Sequence, residues 1–161
     1  MSYCIEEIGF DKLKDFSAVI RKGFADIAEQ YGFTQQNNPT NGAFITADRL
    51  SFEKTNGVIY YGLYVDGVLC GCVGIDKREG YCVLEKLTVI PEFRHKGYGK
   101  KLVEFAIAKA REFGFKELRA GIIDENEILK NWYAGFGFVE ECKRNYPNLF
   151  FTVCHMKYLI E

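Results

Sequence analysis

An apolar segment passes into a basic, glycine-bearing turn within the stretch VIPEFRHKGYGKK, residues Val89–Lys101. The apolar periodicity that follows predicts a helix beginning at about Tyr98. Gly97 and Gly99 have no Cβ atom, so their backbone N–H groups can approach an anion closely. The first N–H groups of a helix lack intrahelical partners and carry the positive end of the helix dipole. The turn is therefore predicted to bind a phosphate group.

Positive charge is concentrated at this turn. The chain has 21 Lys and Arg residues against 22 Asp and Glu residues, and its formal net charge is −1. The basic side chains of the turn are Arg94, His95, Lys96, Lys100 and Lys101. A local cluster in a nearly neutral chain favours one anionic ligand over a broadly basic surface. Nucleic-acid binding is the less favoured alternative, because the sequence shows no further stripe of basic and aromatic residues.

The two most common phosphate loops do not fit this turn. The sequence contains no Gly-x-x-x-x-Gly-Lys-Ser/Thr motif and no three-glycine dinucleotide fingerprint. What remains is Arg94-x-x-Gly97-x-Gly99, directly after a predicted strand and at the start of a predicted helix. This pattern resembles the acyl-coenzyme A pyrophosphate loop of the GNAT N-acetyltransferase superfamily, whose signature is Arg/Gln-x-x-Gly-x-Gly/Ala.

A second segment, NEILKNWYAGFGF from Asn126 to Phe138, strengthens the resemblance. The family's second coenzyme A segment has an Asn at a helix start, a Tyr seven residues later and Gly-Phe four residues after the Tyr. Asn126, Tyr133, Gly137 and Phe138 match these places, whereas Leu129 stands where the family usually has a small residue. The order and spacing of the two segments around a strand are more specific than either segment alone. The chain is therefore identified as similar to GNAT acetyltransferases.

The resemblance implies an enzyme that transfers an acetyl group directly from acetyl-CoA to a primary amine of a small molecule or peptide. Tyr133 corresponds to the family tyrosine that is thought to protonate the sulfur of the departing coenzyme A. Its alternative role is a packing aromatic beside Trp132 and Phe136. Asn126 corresponds to a residue that hydrogen-bonds the cofactor arm, and its alternative role is a helix N-cap. A non-catalytic acyl-CoA-binding or sensor domain is the alternative function, and Tyr133 weighs against it.

The implied cofactor contacts lie on a strand and on the turn that follows it. The edge of a splayed strand leaves backbone N–H and C=O groups unpaired, and the matching positions are Leu87, Thr88 and Val89. The cofactor-binding residues implied for the turn and the helix start are Arg94, His95, Lys96, Gly97, Tyr98, Gly99 and Lys100. No metal is expected, because the chain has only two histidines and no Cys-x-x-Cys motif.

Glu85 is the candidate general base. It lies on the predicted strand 81–90, where period-two alternation puts it on the same face as Leu87 and Val89. A bulge in the strand would change that parity. A carboxylate in apolar surroundings can have a raised pKa suited to base catalysis. The alternatives are a salt bridge from Glu85 to Lys86 or Arg119, and a water chain that acts as the base.

The apolar periodicity along the chain predicts an α+β fold with a mixed, mostly antiparallel sheet of about seven strands and helices on both faces. The parallel strands 81–90 and 118–122 correspond to the splayed pair of the GNAT-like acyl-CoA acyltransferase fold. The predicted strands are 3–8, 58–65, 68–76, 81–90, 118–122, 138–142 and 149–158, and the predicted helices are 12–31, 46–54, 98–114 and 125–135.

Length and composition predict one domain over residues 1–161, and the resemblance implies that it is an N-acetyltransferase domain. Hydrophobic residues make up 48% and charged residues 27%, and no apolar run approaches the ~20 residues of a membrane span. The N-terminus lacks the pattern of a secretory signal. The six cysteines are isolated or lie in apolar strands, so free thiols in a reduced cytoplasm are expected.

Acceptor recognition is predicted to fall to the first two helices with the loop between them, residues 31–44, and to a second loop, residues 146–148. Both loops are polar and aromatic without a run of charge, so they do not identify the acceptor. The expected partners are acetyl-CoA and an amine, with neither nucleic acid nor membrane, and a homodimer is a possible assembly.

Overall fold

A computed structural model describes residues 2–161. Its strands are β1 (Tyr3–Glu7), β2 (Val58–Val65), β3 (Val68–Lys77), β4 (Cys82–Val89), β5 (Glu117–Ile123), β6 (Val139–Asn145) and β7 (Thr152–Leu159). Its α-helices are α1 (Leu13–Tyr31), α2 (Ala47–Thr55), α3 (Tyr98–Glu112) and α4 (Glu127–Ala134). The predicted order of elements is confirmed. None of the helices in the described part of the chain is long and apolar enough to cross a membrane.

All the strands form one sheet in the order β1-β2-β3-β4-β5-β7-β6. Neighbouring strands are antiparallel except for β4 and β5. This parallel pair is joined only near its beginning, where Cys82 pairs with Leu118 and Val83 with Arg119. Beyond these residues the two strands diverge. The predicted mixed sheet with a splayed parallel pair is confirmed.

Helices cover both faces of the sheet, because β2 and β3 present apolar side chains to both sides. On one face, Phe16 of α1 and Leu50 of α2 pack with Tyr60 and Cys72 in a buried cluster, the α1/α2 core. On the other face lies the α3/α4 core. Its members include Leu84, Val89, Leu102, Ala106, Leu118, Ile122, Tyr133 and Phe138.

A β-bulge changes the parity of β4. Cys72 of β3 pairs with Thr88 and Gly74 pairs with Glu85, so β4 has one residue more than β3 between these pairs. The bulge lies at Lys86, which has a positive φ of 48°. A Cβ atom at Gly74 would lie 2.7 Å from the Tyr60 ring and 3.2 Å from Cβ of Glu85, which puts Glu85 on the α1/α2 face.

Leu87, in contrast, packs against the α3/α4 core, of which Val89 is a member. The prediction that Glu85 shares a face with Leu87 and Val89 is therefore wrong. Strict alternation does not survive the bulge at Lys86.

The cysteines behave as the apolar strand pattern predicted. All six are free, and Cys70, Cys72, Cys82 and Cys154 are buried. Burial raises the pKa of Cys70 and of Cys82 to about 11. These thiols therefore stay protonated at neutral pH and pack as small apolar side chains.

Candidate active site

The basic turn lies between the end of β4 and the start of α3. After Val89 the chain forms a single 3₁₀ turn at Pro91–Phe93, and α3 begins at Tyr98. Gly97 has a φ of 86° and His95 a φ of 62°, so the backbone turns through two left-handed residues just before the helix. The left-handed conformation explains the glycine at position 97.

The first backbone N–H groups of α3 have no hydrogen-bond acceptor within the helix. The amide of Lys101 is the first to donate within the helix, to the carbonyl oxygen of Gly97 at 3.2 Å. The amides that precede this bond, from Gly97 to Lys100, receive no side-chain cap, and the first turn contains no acidic residue. His95, Lys96 and Lys100 are exposed beside them. An anion is the natural partner for this end of the helix.

Gly99 brings α3 close to α4. A Cβ atom at Gly99 would lie 3.3 Å from Cζ2 of Trp132, tighter than ordinary van der Waals contact. The two helices that carry the motif residues therefore contact each other beside the basic turn. This contact places the N-terminal end of α3 beside the helix of Tyr133.

The side chain of Arg94 points away from the helix start. Its Nε donates to the carbonyl oxygen of Val89 at 2.8 Å, and Nη1 donates to Oδ2 of Asp26 at 2.6 Å. Nη2 donates to the carbonyl oxygen of Gly23 at 2.8 Å. In this structure the guanidinium is bonded to α1 and the end of β4, where the sequence had suggested a phosphate contact.

The backbone of Leu87, Thr88 and Val89 lies at the diverging end of β4. The pairing with β5 ends at Val83, so no β5 residue is paired with this segment. On the other side, Thr88 and Val89 are paired with β3. Because backbone groups of a strand point alternately to its two neighbours, those that face β5 are available to a ligand in the gap.

Tyr133 is buried in the α3/α4 core, with 4% of its surface exposed. Its ring contacts Trp132 and Phe138 edge to face, with centroids 5.1 and 5.2 Å apart. The same core includes Val89 and Ile122, which lie near the ends of the diverging strands. Burial raises the pKa of Tyr133, so its hydroxyl stays protonated. Tyr133 thus packs as an aromatic residue and also carries a proton within the core that holds the ends of both strands.

Asn126 is the N-cap of α4. Its Oδ1 accepts a hydrogen bond from the backbone N–H of Leu129 at 3.1 Å. This agrees with the simpler of the two roles considered for Asn126. The bond uses only the carbonyl oxygen of the side chain, so its NH₂ group can still donate to a ligand. The cofactor contact of Asn126 stays a prediction.

Glu85 opens onto a cavity of about 380 Å³ on the α1/α2 face, here called the Glu85 recess. Burial raises the pKa of Glu85; Lys86 opposes this shift, and the carboxylates of Asp76 and Glu53 add to it. The recess is lined by the second half of α2, by the end of β3 and by Glu85 of β4, and its lining includes Phe52, Glu53, Asp76 and Arg78.

The two salt bridges considered for Glu85 are not formed within residues 2–161. Lys86 is 3.7 Å from Glu53 instead, and Arg119 pairs with Glu117 at 2.7 Å and with Glu141 at 3.5 Å. The cations next to Glu85 in sequence and in the sheet thus have other carboxylate partners. The carboxylate of Glu85 is left for a ligand or for water.

The first loop predicted to select the acceptor, residues 31–44, contacts residues that lie just after the second loop, 146–148. Phe33, just after α1, contacts Phe150 and Phe151 with ring centroids 5.7 and 5.1 Å apart. Tyr146 hydrogen-bonds to Nε2 of His155 through its hydroxyl at 2.7 Å. His155 is paired with Gly121 of β5, beside the gap.

Sequence reasoning missed Phe150, Phe151 and His155. A signal for His155 did exist, because alternation in β7 separates it from the buried Cys154 and Met156 and so puts it on the α1/α2 face. No sequence pattern pairs Phe33 with Phe150 or Phe151, which lie more than a hundred positions away.

One group of side chains has ligand types that suit a metal. Oxygen and sulfur atoms of Asp124, Glu140 and Cys154 lie within 4.8 Å of one another. The carboxylate of Asp124 is already paired with Lys130 at 2.9 Å and with Lys143 at 3.3 Å. Two ammonium groups therefore neutralise this cluster, and it offers no positive evidence for a metal site.

The geometry combines a helix start with uncapped backbone amides, a gap between diverging parallel strands and a buried tyrosine in the core that also holds the ends of those strands. The family model described as the acetyltransferase (GNAT) family matches residues 24–138, which include all three features. The chain belongs to the GNAT acetyltransferase family. A relative from Lactobacillus delbrueckii subsp. lactis, an uncharacterized N-acetyltransferase in the pepI 3' region, is 32% identical over 147 residues. The match covers 83% of this chain and 82% of the relative.

Solved GNAT structures share the fold of this acetyltransferase. The PaiA N-acetyltransferase of Thermoplasma acidophilum, in complex with coenzyme A, has a TM-score of 0.71 at 21% identity, covering 98% of this chain and all of that one. The putative acetyltransferase YncA of Salmonella typhimurium, with acetyl-CoA, has a TM-score of 0.73 at 17% identity. That match covers 100% of this chain and 95% of YncA.

Proposed function

We propose that this GNAT family member is an N-acetyltransferase that uses acetyl-CoA to acetylate a primary amine of a small molecule or peptide. Residues 1–161 would form one catalytic domain that acts in the cytoplasm without a metal. The observation that carries the proposal is the free N-terminal end of α3 at the mouth of the gap between β4 and β5. Coenzyme A or acetyl-CoA is bound in the complexes of PaiA and YncA, which have the same fold.

Pyrophosphate would bind to the amides from Gly97 to Lys100, with Lys96 and Lys100 as nearby cations. The pantetheine arm would then follow the unpaired edge of Leu87–Val89 into the gap. Holding the thioester and the amine together converts an encounter into an effectively intramolecular step, which contributes roughly 7–11 kcal/mol to lowering the barrier. Backbone N–H groups of the same edge would stabilise the tetrahedral oxyanion.

Glu85 and Tyr133 would move the protons. An ammonium group, with a pKa of ~10.4, must lose a proton before its nitrogen can attack the thioester. Glu85, with its raised pKa and no salt bridge among the described residues, is the proposed acceptor of that proton, directly or through water. Tyr133 would donate its proton to the departing thiolate, whose thiol has a pKa of about 8.5.

The positions of these two residues suggest how the substrates approach. Glu85 opens on the α1/α2 face, whereas Tyr133 belongs to the α3/α4 core. The amine would therefore enter from the α1/α2 face, past the Glu85 recess, and the cofactor sulfur would lie towards the α3/α4 face. The diverging strands would let the two meet within the sheet.

The test is calorimetry with acetyl-CoA, followed by turnover with a panel of amines, amino-acid derivatives and peptides. Consumption of acetyl-CoA should be followed by chromatography, because accessible thiols of the protein, such as the exposed Cys4, would react with a thiol reagent. Saturable binding with turnover of at least one amine is expected. Binding without turnover of any amine would favour a non-catalytic acyl-CoA-binding domain, and no binding would contradict the proposal.

A further inference from the structure

The guanidinium of Arg94 is almost fully used by the protein itself. It makes four hydrogen bonds: one to Val89, one to Gly23 and two to the carboxylate of Asp26. An arginine has five N–H donors, so at most one is left for a ligand. The side chain of Arg94 is 27% exposed and that of Asp26 is 55% exposed.

These bonds join three parts of the fold at one point. Val89 is the last residue of β4, whose edge faces the gap. Arg94 is the first residue of the basic turn before α3, here called the phosphate turn because it is proposed to bind pyrophosphate. Gly23 and Asp26 lie on α1, the helix that covers the acceptor side of the sheet. A helix, a strand end and a loop are therefore held together by one side chain.

The helix α1 lies in close contact with β4 near Gly23. A Cβ atom at Gly23 would lie 2.2 Å from Oγ1 and 2.6 Å from Cγ2 of Thr88. The backbone of α1 therefore rests directly on the side chain of Thr88. This contact fixes how closely α1 approaches β4, and Arg94 closes the arrangement from the side of the loop.

We propose that Arg94 is a positioning residue: together with Asp26 it binds α1 to the end of β4 and so holds the phosphate turn in its anion-binding geometry. In this role Arg94 does not contact phosphate. Arg94 uses its guanidinium for bonds inside the protein, and the backbone amides with Lys96 and Lys100 bind the anion. The inference rests on the proposed binding of acetyl-CoA.

A variant of Asp26 is decisive, because its electrostatic effect and its proposed positioning role predict opposite changes in the affinity for acetyl-CoA. Replacing Asp26 with alanine removes a negative charge near a site for an anionic ligand, which by electrostatics alone would tighten binding. It also frees Arg94 for phosphate. If Arg94 acts through Asp26, however, Asp26→Ala must weaken binding as Arg94→Ala does.

The experiment measures the affinity for acetyl-CoA by calorimetry, well below the unfolding midpoint, for wild type, Arg94→Ala, Asp26→Ala and the double variant. Each single variant is expected to bind about 5- to 30-fold more weakly, the range that follows from an interaction of one or two kcal/mol. The double variant is expected to bind no more weakly than Arg94→Ala, because the bonds that Asp26→Ala removes are already removed by Arg94→Ala.

Lys22→Ala is the matched control. Lys22 of α1 pairs with Glu92 in the segment between β4 and the turn, so it joins the same two parts of the fold. Both side chains are more than half exposed, and a surface pair of this kind contributes little. The affinity of this variant for acetyl-CoA should equal that of wild type.

Each other outcome overturns the proposal. Weaker binding by Arg94→Ala with unchanged or tighter binding by Asp26→Ala would show that Arg94 contacts phosphate. A lower unfolding midpoint in both variants with unchanged affinity would show a purely structural pair. If Arg94→Ala fails to fold, Asp26→Ala alone decides, by weakening or not weakening binding. Absence of binding by wild type would overturn the proposed function as well, whereas the other results overturn only the role of Arg94.

Discussion

Gly23 and Thr88 touch where α1 crosses β4, and the contact has room only for glycine. The nearest atom to a Cβ at Gly23 would be Oγ1 of Thr88 at 2.2 Å, and Thr88 itself is buried. Glycine in the middle of a helix usually costs about 0.5–1 kcal/mol relative to alanine. Its presence in the middle of α1 is explained by this approach of the helix to the strand.

Replacing Gly23 with alanine is therefore expected to destabilise the protein, although alanine is the better helix former. The added methyl group would push α1 away from β4, and overpacking of this kind costs about 1–3 kcal/mol. Denaturant unfolding monitored by circular dichroism measures the change. The double variant Gly23→Ala/Thr88→Ala should recover part of the loss, because Oγ1 and Cγ2 are then absent. A single variant as stable as wild type would show that α1 is free to shift.

Gly97 at the start of α3 should be essential for cofactor binding but not for folding. Its φ of 86° is strained for a β-branched residue, and its amide is among those proposed to bind pyrophosphate. Gly97→Val is expected to abolish measurable binding of acetyl-CoA while the protein stays folded.

Gly114→Val is the matched control for this loop. Gly114 follows the other end of α3 with a φ of 87°, and at both glycines a Cβ would meet no atom within 4 Å. The two substitutions should therefore cost similar stability, and only Gly97→Val should lose binding in calorimetry. Equal affinity in both variants would contradict the assignment of the loop.

The order of elements and the basic turn before α3 could be predicted because both depend on local sequence. Apolar periodicity locates α3, and Gly97 and Gly99 locate the turn. A bulge in this strand was an alternative, but its position at Lys86 could not be predicted, because the register shift arises from pairing with β3 and β4 has no glycine or proline there. The bulge reversed the predicted face of Glu85.

The partner of Arg94 was also beyond sequence reasoning. Asp26 lies 68 positions earlier in the chain and carries no pattern of its own. The family signature supplies the identity of the residue at position 94 but not the direction of its side chain. Similarly, β7 begins at Thr152 and not at residue 149, because residues 146–151 form the loop that packs on Phe33.

Glu85 and Glu53 should affect stability in opposite directions at neutral pH. Burial raises the pKa of Glu85, so its stabilising contribution is complete below the ordinary value of 4.5 and is lost as the pH rises through its raised folded pKa. Glu85→Gln is therefore expected to stabilise the protein at neutral pH, and the gain should shrink towards pH 4.5. Denaturant midpoints across this range measure it.

Glu53 is the matched control for that measurement. Burial acts to raise its pKa, but Lys86 at 3.7 Å and hydrogen bonds from Tyr60 and Arg49 lower it overall. Its contribution is present above the ordinary value of 4.5 and is lost as the pH falls through its lowered folded pKa. Glu53→Gln should therefore destabilise the protein at neutral pH. A shift of the same sign in both variants would refute the opposite roles of the two carboxylates.

The same Glu85→Gln substitution should slow turnover if Glu85 accepts the proton of the amine. General base catalysis contributes typically 10²–10⁴-fold, so a loss of kcat of about that size is expected at neutral pH, with little change in the affinity for acetyl-CoA. In wild type, kcat should fall as the pH drops through the raised pKa of Glu85, and this acidic limb should be absent in the variant. An unchanged kcat would leave a water chain as the proton acceptor.

Tyr133→Phe separates acid catalysis from packing, because the ring still fills the space between Trp132 and Phe138 and only the hydroxyl is lost. If this hydroxyl protonates the departing thiolate, kcat should fall by roughly 10²–10⁴-fold with unchanged affinity for acetyl-CoA. Since burial raises its pKa, wild type should keep its rate up to about pH 10, the ordinary value for tyrosine. Any alkaline limb that belongs to this group should vanish in the variant.

Tyr158→Phe, which changes a ring on the other side of Phe138, is the control and should keep full activity. Weaker binding by Tyr133→Phe with unchanged kcat would make Tyr133 a binding or packing residue, and solvent or another group would then supply the proton.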